Sequence, residues 1–123
     1  MQVFCQPPLA TVGRSEEEAA AEFAGDLSVY LEHVKTMPNM LNGRVERTLI
    51  KVIVHDASDR VVGVHMVGPG APEALQGVAI ALTAGATRAH FAATAGVHPT
   101  AVEDLVDLKN KVRTVAGCGS RRP

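Results

Sequence analysis

The stretch VHPTAVEDLV, residues 97–106, sets His98 directly before a proline and Glu103 five positions later. A histidine side chain ordinarily titrates near neutral pH, and a carboxylate within reach of the ring can orient the imidazole for proton transfer. The same residues have a purely local reading. Thr100 and Glu103 make a T-x-x-E capping box, in which the hydroxyl accepts from the third helical N–H and the glutamate reaches back to the cap's own N–H. The two readings are compatible, because a carboxylate at that position can lean toward a histidine just ahead of the cap. Spacing permits a pair without requiring one.

The other chemistry-bearing residues group less well. His33, His55, His65 and His90 show none of the i, i+4 helical spacing that holds a metal, so solvated or core-edge roles are expected and no metal site is read. Cys5 and Cys118 lie near opposite ends with no C-x-x-C spacing, which predicts two reduced thiols. GPGAPE, residues 68–73, lacks the third glycine and the βαβ setting of a phosphate loop, and reads as the turn that opens a helix.

The elements that must position these groups emerge from periodicity and punctuation. Leu9 to Val12 reads as a short extended piece. Ser15 and Glu18 form a capping box ahead of an alanine run, which predicts a helix. Leu27 to Lys35 alternates loosely as a strand that ends before Pro38, and LNG at 41–43 signals a turn. RTLIKVIVHD and RVVGVHMVG, separated by the turn Asp56 to Asp59, predict a β-hairpin. Pro72 then opens a helix whose Leu75, Val78, Ala79 and Leu82 share one face, with Gly85 closing it. Thr87 can cap a short helix through Phe91. A last helix is expected after Thr100, with Ala101, Leu105, Leu108 and Val112 on one face, acids first and Lys109 and Lys111 last. Strands followed by helices predict an α+β fold, an antiparallel sheet with helices packed on one face. One domain over residues 1–112 is expected, with 113–123 as a flexible tail.

Composition narrows the function classes. A formal net charge of −1 and the absence of Trp argue against a nucleic-acid surface or a base-stacking platform. No apolar run approaches the ~18 residues of a membrane span, and no basic-then-apolar leader opens the chain, so a cytoplasmic protein without membrane or nucleic-acid partners is expected.

Taken in order, VFCQPPLATVG, GRVERTLIKVIV, VVGVHMVGPGAPEALQGVAIALTAGATRAHFAATAGVHPT and AVEDLV resemble the C-terminal interface domain of glutathione reductase, from about Val3 to Leu108. This domain belongs to the FAD-containing pyridine nucleotide disulfide oxidoreductases. The resemblance implies a homodimer in which this domain supplies most of the subunit contact, here through Leu75, Val78, Ala79, Leu82, Ala101, Leu105 and Leu108. It implies that His98 reaches the partner subunit's flavin and disulfide as acid/base, that Glu103 orients it, and that the His98–Pro99 peptide is cis. It places Met37 at an apolar position touching the disulfide substrate, glutathione disulfide in the intact enzyme. Three positions depart from the family pattern, the first being Asp104, where a second glutamate is usual. Asp107 stands where a threonine is usual, setting a carboxylate against those of glutathione. Cys5 stands where threonine or serine is frequent.

The chain has no G-x-G-x-x-G, no C-x-x-x-x-C, and no room for a dinucleotide domain. It is therefore expected to bind neither FAD nor NADPH itself and to be inactive alone, as a piece cut from a longer reductase. The other readings are a stand-alone dimeric assembly or binding module, and the interface domain of a thioredoxin, trypanothione or mycothione reductase.

Overall fold

The computed structural model describes residues 1–3, 5–35, 47–100 and 102–119. Its strands are β1 (Gln2–Val3), β2 (Leu9–Gly13), β3 (Asp26–Val34), β4 (Thr48–His55), β5 (Arg60–Val67) and β6 (Lys111–Ala116). Among the described residues the helices are α1 (Glu16–Glu22), α2 (Ala71–Thr83) and α3 (Arg88–Ala92), with one 3-10 turn at Glu103–Leu105. The strands form one sheet in the order β1-β2-β5-β4-β3-β6, and every pairing between them is antiparallel. The expected α+β class is the observed one.

The β4–β5 hairpin is the centre of the sheet because its β-branched residues can be buried on both faces. Ile50, Val52 and Val54 point to one face, where they meet Val64, Met66, Leu75 and Leu105. Ile53 points to the other, against Ala19, Leu27 and Val62. Alternation of side chains across the sheet thus sorts the residues into two cores. A register shift opposite Ile53 and Val54 lets Val61 and Val64, three residues apart, serve the same core, with Val62 in the other. Gly63 lies under the chain leading to α1, where a Cβ would stand 2.1 Å from the Arg14 carbonyl oxygen, so no side chain fits there.

The helices flank this sheet on both sides. α2 and the turn at 103–105 cover the first face and α1 covers the second, where the sequence had predicted helices on one face only. Ser15 accepts from Glu18 N at 3.2 Å and Glu18 Oε2 accepts from Ser15 N at 2.8 Å, so the capping box that opens α1 is complete. Gly85 ends α2 at φ 77°, a left-handed conformation that costs glycine nothing. Thr87 caps α3 as expected, with His90 in the position a glutamate would hold.

The C-terminal region differs from its expectation. Instead of a helix from Thr100 to Val112, the described residues show only the turn Glu103–Leu105, followed by β6 on the free edge of β3. Thr100 does not cap: its hydroxyl is buried without a hydrogen-bond partner, and Val102 stands at the cap position with no side-chain bond. Lys111-Val-Arg-Thr-Val alternates in the manner of a strand, and its β-branched residues favour one. The expected boundary at 112/113 falls inside β6, and Cys118 bridges Ala24. The segment through 119 therefore belongs to the fold and is not a loose tail.

Candidate functional site

His98 and Glu103 come together. The His98 Nδ1–H donates to Glu103 at 2.9 Å from Oε2 and 3.2 Å from Oε1. The loop after α3 carries the histidine, and the His98–Pro99 peptide is cis, as is Gln6–Pro7. The 3-10 turn carries the glutamate, and it is fixed to the protein by Leu105, which is 4% exposed in the main core. Val102 and Leu108 pack against the same core on either side. A carboxylate on Nδ1 sets the ring's tautomer and leaves Nε2 available to another group, the second-partner logic by which histidines are oriented in many sites. No other residue among those described hydrogen-bonds the ring, and the His98 side chain is 72% exposed against 30% for Glu103. The pair is thus anchored at its carboxylate end and open to solvent at its imidazole end.

The surroundings are acidic and apolar. Burial, then repulsion from Glu103 and Glu32, holds the Asp104 carboxyl above the usual carboxylate range. Asp107 is exposed and pairs with Lys109 at 2.5 Å. The turn that carries Glu103 also forms one wall of an apolar cleft of about 340 Å³, with Gly77, Val78 and Ala81 of α2 and Phe91 of α3 on the others.

The remaining expected site residues are dispersed. Met37 and Ala101 lie outside the described residues. Leu75 and Leu105, 3% and 4% exposed, are already used inside the protomer and have no area left to give a partner. Val78, Leu82 and Leu108 are half-buried against the main core, and Ala79 lines a separate surface cavity with Leu82. The large apolar side chains that do reach the surface are Ile80 of α2, Val97 beside His98, Val112 of β6 and Met1. Of the α2 face read as an interface, Leu75 is fully buried in the core while Val78, Ala79 and Leu82 keep part of their surface, because i, i+3, i+7 spacing marks burial without saying in which interior.

Most other histidines are structural. His55 binds Ser58 Oγ through Nδ1 at 2.7 Å and donates from Nε2 to the Ala24 carbonyl at 2.8 Å. His65 donates to the Arg14 carbonyl at 3.1 Å, and His90 Nδ1 accepts from Thr87 N at 3.1 Å. No group of three metal-capable side chains occurs among the described residues. Among the described residues every strand pairing is antiparallel, with no βαβ unit of the kind that cradles a pyrophosphate. Neither Cys5 nor Cys118 is in a disulfide. No helix among the described residues is long and apolar enough to cross a membrane.

Sequence reasoning missed Glu32. Its carboxylate accepts from Lys109 N, Asn110 N and Asn110 Nδ2, at 3.1, 2.9 and 2.6 Å. Nothing local signals this, because an acid within an alternating strand reads as a solvent-facing residue and its partners lie in a distant segment.

Comparison with known proteins adds three kinds of match. Residues 1–109 match the family model described as pyridine nucleotide-disulphide oxidoreductase, dimerisation domain. The chain is similar to glutathione reductase of Burkholderia cepacia, 45% identical over 109 residues that make up 89% of this chain and 24% of that protein. It is also similar to the chloroplastic/mitochondrial glutathione reductase of Pisum sativum, 42% identical over 92% of this chain and 20% of that one. Among solved structures it resembles the HOCl-induced flavoprotein disulfide reductase RclA from Escherichia coli, with a TM-score of 0.74 and 29% identity over 88% of this chain and 25% of that one. The chain spans about a quarter or less of the length of these proteins.

Proposed function

Because this chain belongs to the pyridine nucleotide-disulphide oxidoreductase dimerisation domains and is glutathione reductase-like, we propose that it donates the His98–Glu103 pair to the disulfide site of a partner subunit in an NADPH-dependent glutathione-disulfide reductase. The single observation that carries this reading is the pair's geometry: Nδ1 is held by Glu103 at 2.9 Å while the ring is 72% exposed. A histidine oriented so firmly on one nitrogen and left open on the other is suited to exchanging a proton at Nε2 with a group that its own subunit does not contain. When a dithiol reduces a disulfide, one sulfur leaves as thiolate and must be protonated, and the attacking thiol must lose its proton. His98 serves both steps from Nε2, and Glu103 keeps the ring aimed throughout.

In this reading the domain forms a homodimer, and the partner covers the apolar cleft beside the turn and the exposed Ile80 on α2. Residues beyond this domain hold FAD and NADPH, which supply the reducing electrons. The disulfide substrate is glutathione disulfide, Met37 belongs to its contact surface, and the compartment is the cytoplasm.

The test is His98→Gln in a full-length reductase carrying this domain, with the two half-reactions measured separately. Loss of a general acid/base is expected to slow disulfide turnover by about 10²- to 10⁴-fold. Flavin reduction by NADPH should be unchanged. Equal losses in both half-reactions would remove the role assigned to His98.

A further inference from the structure

The turn that holds Glu103 has little of its own to hold it. It is one 3-10 turn of three residues with no side-chain cap, and the nearby Thr100 hydroxyl makes no bond. Leu105 pins its middle in the core. Its C-terminal flank is pinned by Glu32, a half-buried residue of β3 whose side chain shares a sheet face with Tyr30 and Val34, both packed on that same core. The carboxylate takes three hydrogen bonds from Lys109 and Asn110. Beside it the Leu31 N–H donates to the Asn110 carbonyl at 3.0 Å, and β6 begins one residue later.

We propose that Glu32 is a positioning residue for the His98–Glu103 pair, clamping the chain just beyond the turn so that the Glu103 carboxylate stands where His98 Nδ1 can reach it. The proposal rests on the acid/base reading above. Charge repulsion alone argues against a glutamate here, since Glu32 lies close enough to Asp104 to disfavour that residue's ionised form. Its three hydrogen bonds are what make the position suit an acceptor, and charged acceptors bind backbone N–H groups more strongly than neutral ones. Without the clamp, the 106–110 segment keeps the Leu105 and Leu108 packing and the Leu31–Asn110 backbone bond but loses the three bonds beside the turn, and the Glu103 carboxylate is less closely held to the ring.

The measurement is the His98 ring-nitrogen signature by long-range ¹H–¹⁵N NMR, taken on the whole chain at a pH where the imidazole is neutral, because the bond to Glu103 fixes which nitrogen bears the proton. Glu103→Ala defines the unpaired state. Glu32→Ala is expected to move the His98 nitrogens at least half-way to that state. Glu32→Gln, which keeps an oxygen for the backbone donors, should stay near the parent. Asn110→Ala removes only the 2.6 Å bond and should shift His98 the same way by less, and it decides the matter if Glu32→Ala fails to fold. A folded Glu32→Ala, or in its absence Asn110→Ala, with unshifted His98 nitrogens overturns the proposal. So does a Glu32→Gln protein that behaves like the alanine variant. If Glu103→Ala itself leaves His98 unshifted, the pairing fails along with the proposal; if only the variants at 32 and 110 do, the positioning role fails alone.

Discussion

Ser15 and Thr100 each stand three residues ahead of a glutamate, and the two glutamates end up with different partners. Glu18 turns back to the Ser15 N–H and closes a cap on α1. Glu103 turns instead to His98. The difference lies in the residues on the C-terminal side of each pattern. Behind Ser15 comes Glu-Glu-Glu-Ala-Ala-Ala, a strong helix former whose one fully buried residue, Ala19, lets the helix lie close to the sheet. Behind Thr100 come Leu105, which seats in the core, and Asn110, which Glu32 seizes. An N-cap is worth about 1 kcal/mol, whereas burying a leucine contributes about 1.5–3 kcal/mol before the Glu32 hydrogen bonds are counted. The packing wins, the helix does not form, and the glutamate that would have capped it is left to serve a histidine.

Breaking the stronger partner in this contest should have the largest effect. Leu105→Ala is expected to lower stability by about 2–5 kcal/mol in urea denaturation, the range for emptying a buried leucine site. A loss below about 1 kcal/mol would show that the turn is not held by the core.

The two caps can then be compared directly. Ser15→Ala should cost about 0.5–2 kcal/mol, the ordinary value of a lost N-cap. Thr100→Val, which replaces an unpartnered buried hydroxyl with a methyl of similar shape, should be neutral or slightly stabilising, since only a satisfied hydroxyl is missed. Equal losses at the two positions would mean that Thr100 caps after all.

A smaller effect tests how α1 is tied down. His65 donates to the Arg14 carbonyl just ahead of Ser15, and burial holds its pKa below the ordinary histidine value. With the folded pKa depressed, the unfolded chain binds more protons in the interval between the two values. Stability should therefore be full above about pH 6.5 and decline as pH falls toward the folded pKa. His65→Gln should flatten the slope of stability against pH in that window, as read from urea midpoints. An unchanged slope would show that His65 does not contribute it.

The sequence made the central hairpin, the Ser15 cap and the α2 boundaries legible because each is decided within a few residues. β-branched alternation, a complete S-x-x-E box and a glycine at φ 77° need no distant partner. The His98–Glu103 pair was legible as a possibility on spacing, and as an expectation only through family resemblance. What stayed hidden was decided at long range. β6 takes the edge of β3, some 85 residues earlier in the chain, and the acids Glu103 and Asp104 with Lys109 and Lys111 had looked like a helix's charge pattern. Glu32 finds Asn110 across a similar distance. The leucine faces of α2 and of the turn were recognised as apolar, yet periodicity does not distinguish a subunit's core from its interface, and Leu75 and Leu105 proved to belong to the core.

The central claim is that His98 and Glu103 act as one unit on a disulfide bond. A double-mutant cycle on the disulfide half-reaction of a full-length reductase carrying this domain tests it most directly, with His98→Gln, Glu103→Gln and the double variant compared. Residues that work through one another give strongly non-additive losses. Glu103→Gln is expected to slow the step on its own but to add almost nothing once His98 is already glutamine. Losses that multiply independently in the double variant would contradict the claim.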